Sequence, residues 1–303
     1  MAKRRKPAKR SLQSAGDDDS VNHSSRGDVD GGHDEDDTTL NPGDDEENHV
    51  EKPDVGHFEF DANNKAIVCE RRGMVGKPSL IWTHGAGGGL EAPATKDFAD
   101  GFAARASIVS FKGAMNLVSR TKVFHAVIEH EGFDAALGGR SMGARAACIA
   151  ATQEERQTKA LVLVSFPLIG GTKGDSREQI LLDLPEEIDV LLISGTKDSM
   201  CDLEQLAAVT AKMNARCWMV VVQAANHGMD WKWKDSAQQM RRMTGALAAE
   251  WLESRDRSKR HCVIRWDEEA GQIQCEGWKE GEKEVQKLGD EEAPPAKRRK
   301  KTK

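Results

Sequence analysis

Gly139-Arg140-Ser141-Met142-Gly143 follows a short β-type segment, Phe133 to Leu137, and precedes Ala144-Arg145-Ala146-Ala147-Cys148-Ile149-Ala150-Ala151, which reads as a helix. The five residues fit G-x-S-x-G, and strand, tight turn, helix is the context that makes this pattern a nucleophile elbow. Such a turn is strained and lifts the serine hydroxyl clear of the sheet edge. Glycines at 139 and 143 omit side chains that would collide where helix and strand approach. The alanines beyond them let the helix lie flat on a sheet. A glycine-rich βα turn with a chance serine is the alternative, and the rest of the chain has to separate the two.

Working outward, Ser79-Leu80-Ile81-Trp82-Thr83 is a short apolar strand, and it runs into His84-Gly85-Ala86-Gly87-Gly88-Gly89. Residues 94–105 have helical spacing with Phe98, Phe102 and Ala103 on one side. Ala106 to Phe111 reads as a strand and Leu117 to Glu131 as a helix. Beyond the elbow, Lys159 to Phe166, Val190 to Ser194 and Trp218 to Val222 read as strands, with helices near 202–214 and 236–254. Strands alternate with helices and are apolar on both faces, as in a parallel sheet covered on both sides. Residues 57–61 and Lys65 to Arg72, joined through Asn63-Asn64, read as a hairpin adding antiparallel strands at one edge. The stretch from Pro167 to Val190 is too short for a lid domain.

Charge divides the remainder of the 303 residues. Lys3 to Arg10 is basic, Asp17 to Asp54 is acidic and poor in large apolar residues, and the chain ends in a second basic cluster at 296–303. Such segments bury too little surface to offset their ordering entropy, so disordered charged tails are expected. The expected organisation is an arm over 1–55, one folded domain over 56–258 and a charged tail over 259–303 with a short hairpin at 261–278. The net charge of −6 averages these parts and says little about the domain. No apolar run approaches a membrane span and no signal-peptide pattern is present, so no membrane partner is expected. The six cysteines show no CxxC and no metal spacing, with Cys69, Cys148 and Cys217 inside apolar segments. Buried thiols in a reducing compartment, with no metal and no organic cofactor, are the expectation.

A serine nucleophile needs a base and a group that orients the base. On a hydrolase sheet of this type the chain order is Ser, Asp or Glu, His. Two histidines follow Ser141, and His227 is the one that leaves the carboxyl end of a strand, through Gln223-Ala224-Ala225-Asn226. The acid should leave the preceding strand, which points to Asp198 in Gly195-Thr196-Lys197-Asp198. Asp202 competes, but capping of the helix near 202–214 accounts for it. Oxyanion donors are expected from the Met142 N–H and from the glycine-rich loop, where Ala86 is the first choice and Gly87 the next. His84 reads as a residue that braces this loop. A dinucleotide-binding G-x-G-x-x-G fails because Leu90 stands at the third glycine position.

Thr83-His84-Gly85-Ala86, Phe111-Lys112-Gly113, Gly138-Gly139-Arg140-Ser141-Met142-Gly143, Ser165-Phe166-Pro167-Leu168, Ser194-Gly195-Thr196-Lys197-Asp198 and Ala225-Asn226-His227 occur in that order. Together, over about residues 57–255, they resemble the α/β-hydrolase-like domain shared by testis-expressed protein 30 and subunit 3 of the NSL histone-acetyltransferase complex. Dienelactone-hydrolase-like enzymes are more distant relatives. The resemblance implies an α/β-hydrolase fold and a Ser141–Asp198–His227 triad, and it names no substrate. The glycine run at 87–89 departs from that pattern. Lys112, Arg120 and Lys122 match it without a role that the sequence supplies.

Arg140 and Arg145 flank the nucleophile; pairing with nearby carboxylates is expected, and attraction of an acidic substrate is the alternative. Trp231 and Trp233 are expected to pack under the last helix. The expected activity is hydrolysis of a small ester, thioester or related acyl substrate. The competing expectation is a nuclear interaction module that keeps the fold without turnover. The terminal basic clusters suggest nuclear import, with cytoplasm as the alternative location. Protein partners through the charged tails fit that picture, and nucleic acid is an expected partner only through the basic ends.

Overall fold

The computed structural model describes residues 55–62, 64–132, 135–153, 158–170 and 174–280. The basic and acidic arm and the terminal basic cluster lie outside these residues, as do Phe133 and the neighbouring residue at the start of the segment expected before the elbow.

In chain order the strands are β1 (Val55–Ala62), β2 (Lys65–Arg72), β3 (Leu80–Thr83), β4 (Ile108–Phe111), β5 (Ala136–Arg140), β6 (Ala160–Val164), β7 (Ile169–Gly170), β8 (Asp175–Ser176), β9 (Asp189–Lys197), β10 (Arg216–Asn226), β11 (His261–Asp267) and β12 (Gln272–Cys275). The helices are α1 (Pro93–Ala103), α2 (Leu117–Glu131), α3 (Met142–Ala151), α4 (Gln179–Leu182), α5 (Leu203–Thr210) and α6 (Ala237–Ser254). One sheet has the order β1-β2-β4-β3-β5-β6-β9-β10-β11-β12. From β4 to β11 every neighbouring pair is parallel. The β1–β2 hairpin adds antiparallel strands at one edge.

The parallel strands are buried on both faces because each face carries its own apolar layer. Ile81, Leu137, Leu163 and Leu192 face Phe124, Val127, Ala147 and Leu206 of α2, α3 and α5. Leu80, Trp82, Val162 and Ile193 face Phe98, Phe102, Leu247 and Trp251 of α1 and α6. A continuous run such as Ala160-Leu161-Val162-Leu163-Val164 therefore has no solvent side.

Two sequence expectations change. The strand expected over Lys159 to Phe166 stops at Val164, because Ser165 takes φ 48° and turns the chain off the sheet. The hairpin expected at 261–278 forms, but its first strand also pairs in parallel with β10, Val220 opposite Cys262 and Val222 opposite Ile264. Cys262, Val263 and Ile264 are buried there. The sheet thus runs past the boundary placed at 258, and β10–α6–β11 is one more crossover unit. Trp231 and Trp233 pack on this hairpin: both rings contact Trp266 of β11.

Helices α1 and α6 cross with their backbones in contact. A Cβ added at Gly245 would stand 2.0 Å from the Phe98 carbonyl oxygen. Glycine inside a helix costs about 1 kcal/mol relative to alanine, so close approach is its compensation here. Gly245→Val is expected to lower unfolding stability by about 3 kcal/mol through forced separation of the helices. A denaturant midpoint equal to wild type would show that the two helices can part freely.

Candidate active site

The elbow sits at the carboxyl end of β5. Ser141 has φ 52° and ψ −109°, a backbone that a non-glycine residue holds only under tight packing. That packing is visible at both flanking glycines. A Cβ on Gly139 would stand 2.4 Å from the Gly143 carbonyl carbon, and one on Gly143 2.5 Å from the Thr83 carbonyl oxygen. The Ser141 N–H donates to the Val164 carbonyl at 2.9 Å, which ties the turn to the neighbouring strand.

The structure brings the three residues expected to act together into one hydrogen-bonded series. Ser141 Oγ lies 2.9 Å from His227 Nε2. His227 Nδ1 lies 2.9 Å from both Asp198 oxygens. The Asp198 side chain is wholly buried, and its Oδ1 also accepts the Met200 N–H at 2.8 Å. With Nδ1–H donating to this carboxylate, Nε2 is left as an acceptor for the serine hydroxyl. Asp202, the competing acid, instead accepts the Gln205 N–H at 2.9 Å as the N-cap of α5.

The loop that carries His227 is held from two sides. Asn226 Oδ1 accepts the Gly228 and Asp230 N–H groups at 2.7 and 3.1 Å, closing a tight turn around the histidine. Arg140 Nη2 donates to the His227 carbonyl at 2.7 Å. Neither restraint was visible in the sequence, although an asparagine two residues before a glycine is a recognised turn signal.

The glycine-rich loop lies beside Ser141: a Cβ on Gly85 would stand 3.5 Å from Ser141 Cβ. Its conformation is set by His84 and by Arg120, a residue whose role the sequence did not supply. Arg120 is completely buried, and no carboxylate among the described residues pairs with it. Its guanidinium donates instead to four carbonyls: Ala114 at 2.9 Å, Gly113 at 3.2 Å, Gly85 at 3.2 Å, and His84. Burial lowers its pKa to about 10, so it stays charged at neutral pH. The His84 ring spans the same gap. Nε2 accepts the Gly113 N–H at 3.0 Å, which leaves Nδ1–H to donate to the Gly85 carbonyl at 2.7 Å. Burial, and next the Arg120 charge, push the His84 pKa down and favour this neutral form.

These bonds bear on the N–H groups expected as oxyanion donors. The C=O and N–H of one planar trans peptide point in opposite directions. Drawing the Gly85 carbonyl onto Arg120 and His84 therefore turns the Ala86 N–H away from them. No hydrogen bond among the described residues engages that N–H. Gly87, the second choice from sequence, already donates its N–H to the Gly85 carbonyl at 3.1 Å, so its donor is occupied. Met142 N–H opens α3 and has no partner inside the helix.

The carboxylate pairing expected for Arg140 and Arg145 is absent among the described residues. Arg140 spends its charge on the His227 carbonyl, and Nε of each arginine is buried without a hydrogen-bond partner. Burial lowers the pKa of both.

A family model described as an alpha/beta hydrolase domain matches residues 114–252, just under half of the chain. That span contains Ser141, Asp198 and His227, whereas the glycine-rich loop precedes it. Est1E from Butyrivibrio proteoclasticus is 15% identical with a TM-score of 0.53, covering 66% of this chain and 100% of its own. An alpha-beta serine hydrolase homologue from Coxiella burnetii is 17% identical with a TM-score of 0.51, covering 64% and 96%. Dienelactone hydrolase from Anabaena variabilis is 16% identical with a TM-score of 0.50, covering 67% and 98%. At such identities the likeness speaks for architecture, and together with the elbow and the sheet order it gives this chain the α/β-hydrolase fold.

Proposed function

We propose that the chain is a serine hydrolase of esters, thioesters or related acyl compounds. The observation that carries this reading is the unbroken series from Ser141 Oγ through His227 to the buried Asp198 carboxylate. In the first half-reaction His227 Nε2 takes the hydroxyl proton as Oγ attacks the acyl carbon. Asp198 holds the ring orientation and stabilises the imidazolium that forms. Negative charge gathers on the former carbonyl oxygen, to which the N–H groups of Met142 and Ala86 are assigned. Collapse expels the leaving group with the proton returned from His227. Water, deprotonated by the same nitrogen, then releases the acid and regenerates Ser141. The ordered motifs shared with the testis-expressed-protein-30 and NSL-subunit-3 domain support placing the chain near that family as part of this proposal.

Labelling of the full-length protein by a fluorophosphonate probe tests the reading. Covalent modification should require both Ser141 and His227, so that Ser141→Ala and His227→Ala each abolish it. A folded wild-type protein that stays unlabelled would remove the case for an activated serine.

A further inference from the structure

Away from the elbow and from the loop where Arg120 serves carbonyls, the buried Arg72 and Arg241 are each paired with carboxylates. Arg72 reaches Glu70 and Asp100 at 2.6 and 3.1 Å, and Arg241 reaches Asp97 and Asp230 at 2.7 and 3.2 Å. Around the elbow the pattern reverses, and no carboxylate among the described residues lies within ion-pair distance of Arg140, Arg145 or Arg177. Arg140 is committed to the His227 carbonyl. Among the described residues, Arg145 and Arg177 have no such commitment.

Backbone hydrogen bonds set where each of them stands. Arg145 stands one helical turn after Ser141, and its N–H donates to the Ser141 carbonyl at 3.2 Å. On α3 every residue is buried except Met142, Arg145 and Ile149. Their spacing of three and four makes one stripe, so Arg145 follows on the same face as Met142, beside the nucleophile. Arg177 belongs to the segment that leaves β6, the strand whose end holds the Ser141 N–H. Its own N–H donates to the Leu168 carbonyl at 2.8 Å, and its guanidinium lies on Gly170, where a Cβ would come within 1.7 Å of Nη2. The Arg177 charge is near enough to lower the Arg145 pKa, after burial itself. Arg145 lies on α3 and Arg177 two residues before α4, helices that pack against each other, and neither arginine has a counter-ion among the described residues. Partial burial strengthens their repulsion, and an arriving anion relieves it.

We propose that Arg145 and Arg177 form an anion subsite next to Ser141, and that the acyl substrate carries a carboxylate or phosphate group which they hold. The guanidinium fork suits both oxyanions and binds either with two parallel hydrogen bonds. The assignment of the bound anion as part of a substrate rests on the serine-hydrolase reading above, whereas anion binding itself does not.

The test uses the full-length protein and two esters of similar size, the mono-p-nitrophenyl ester of glutarate and p-nitrophenyl valerate. The charged ester is expected to have a kcat/KM about tenfold higher, in keeping with a charge-assisted pair. Arg145→Gln and Arg177→Gln should bring the ratio to about one, and Arg145→Lys should keep part of it. Arg257→Gln, which removes the same charge from an exposed turn, should leave the ratio unchanged. A wild-type ratio near one, or a ratio that survives both glutamine variants, overturns the subsite. Glutarate and inorganic phosphate, added separately, should each raise the thermal unfolding midpoint of wild type and not of Arg145→Gln; the larger shift identifies the preferred anion. Should Ser141 resist the fluorophosphonate and neither ester turn over, the hydrolase reading fails while this shift still decides the subsite: present and Arg145-dependent, it stands; absent, it falls.

Discussion

Asp198→Asn is expected to reduce turnover by about four orders of magnitude, the scale on which an amide in place of a triad carboxylate acts. The asparagine retains an oxygen for the Met200 N–H, which Asp198 Oδ1 now accepts at 2.8 Å, so the turn after β9 should keep its shape. What changes is the other face. A carboxylate accepts the Nδ1–H of His227 with either oxygen, both at 2.9 Å. An amide can offer its NH2 to Nδ1 instead, which moves the ring proton to Nε2. The nitrogen facing Ser141 then carries a hydrogen and cannot take another from the hydroxyl. Asp202→Asn is the matched control. It preserves the N-cap to Gln205, since asparagine caps a helix about as well as aspartate, and should leave turnover within twofold. Activity of both variants follows from fluorophosphonate labelling rates on protein shown to be folded by circular dichroism. The opposite pattern, loss at 202 and survival at 198, would mean that the acid has been misassigned.

Arg120→Met carries the second large effect, and it falls on stability and catalysis together. Removing the guanidinium leaves the carbonyls of His84, Gly85, Gly113 and Ala114 without their buried donor. His84 can still serve Gly85 through Nδ1, so the full penalty is not paid four times. At about 1–3 kcal/mol for each buried acceptor left unsatisfied, a loss of about 4 kcal/mol is expected. The peptide between Gly85 and Ala86 then loses a restraint, and the Ala86 N–H loses its fixed direction. An oxyanion donor removed outright costs about a hundredfold or more in rate, and a donor set free should cost a similar amount. Labelling is to be measured well below the variant's unfolding temperature and corrected for the folded fraction. Wild-type stability with a wild-type labelling rate would show that the loop holds its shape without Arg120. Arg120→Lys should recover only part of either loss, because one ammonium cannot reach the carbonyls that a planar guanidinium spans.

The elements themselves were legible. Leu117–Glu131 appears where its spacing puts it, and Asn116 caps it by accepting the Ser119 N–H. Lys65–Arg72 likewise appears with the predicted bounds. The errors lie where a local pattern meets a neighbour. Phe166 is apolar and buried, yet it is off the strand, because Ser165 at φ 48° turns the chain away while Phe166 still joins the apolar layer on that face of the sheet. Residues 261–267 sit in a charged context and looked like part of a tail; the open edge of β10 turned Cys262-Val263-Ile264 into a sheet strand.

The sequence by itself determined the order of strands and helices, the elbow and the loop that carries the histidine. These follow from short-range causes: period-two and period-3.6 apolar patterns, glycine at positions of close approach, and polar residues at turns. Tertiary structure made the contact itself, bringing the expected Asp198 to His227 across 29 residues of chain. It also decided that Arg120 would serve carbonyls 35 and 36 residues before it, and that Arg145 and Arg177 would meet no acid among the described residues. A sequence states which charges exist, but the order of strands in the sheet sets which of them become neighbours. Burial then fixes what each neighbour is worth, since a charge that is cheap in water must find a partner once it is enclosed.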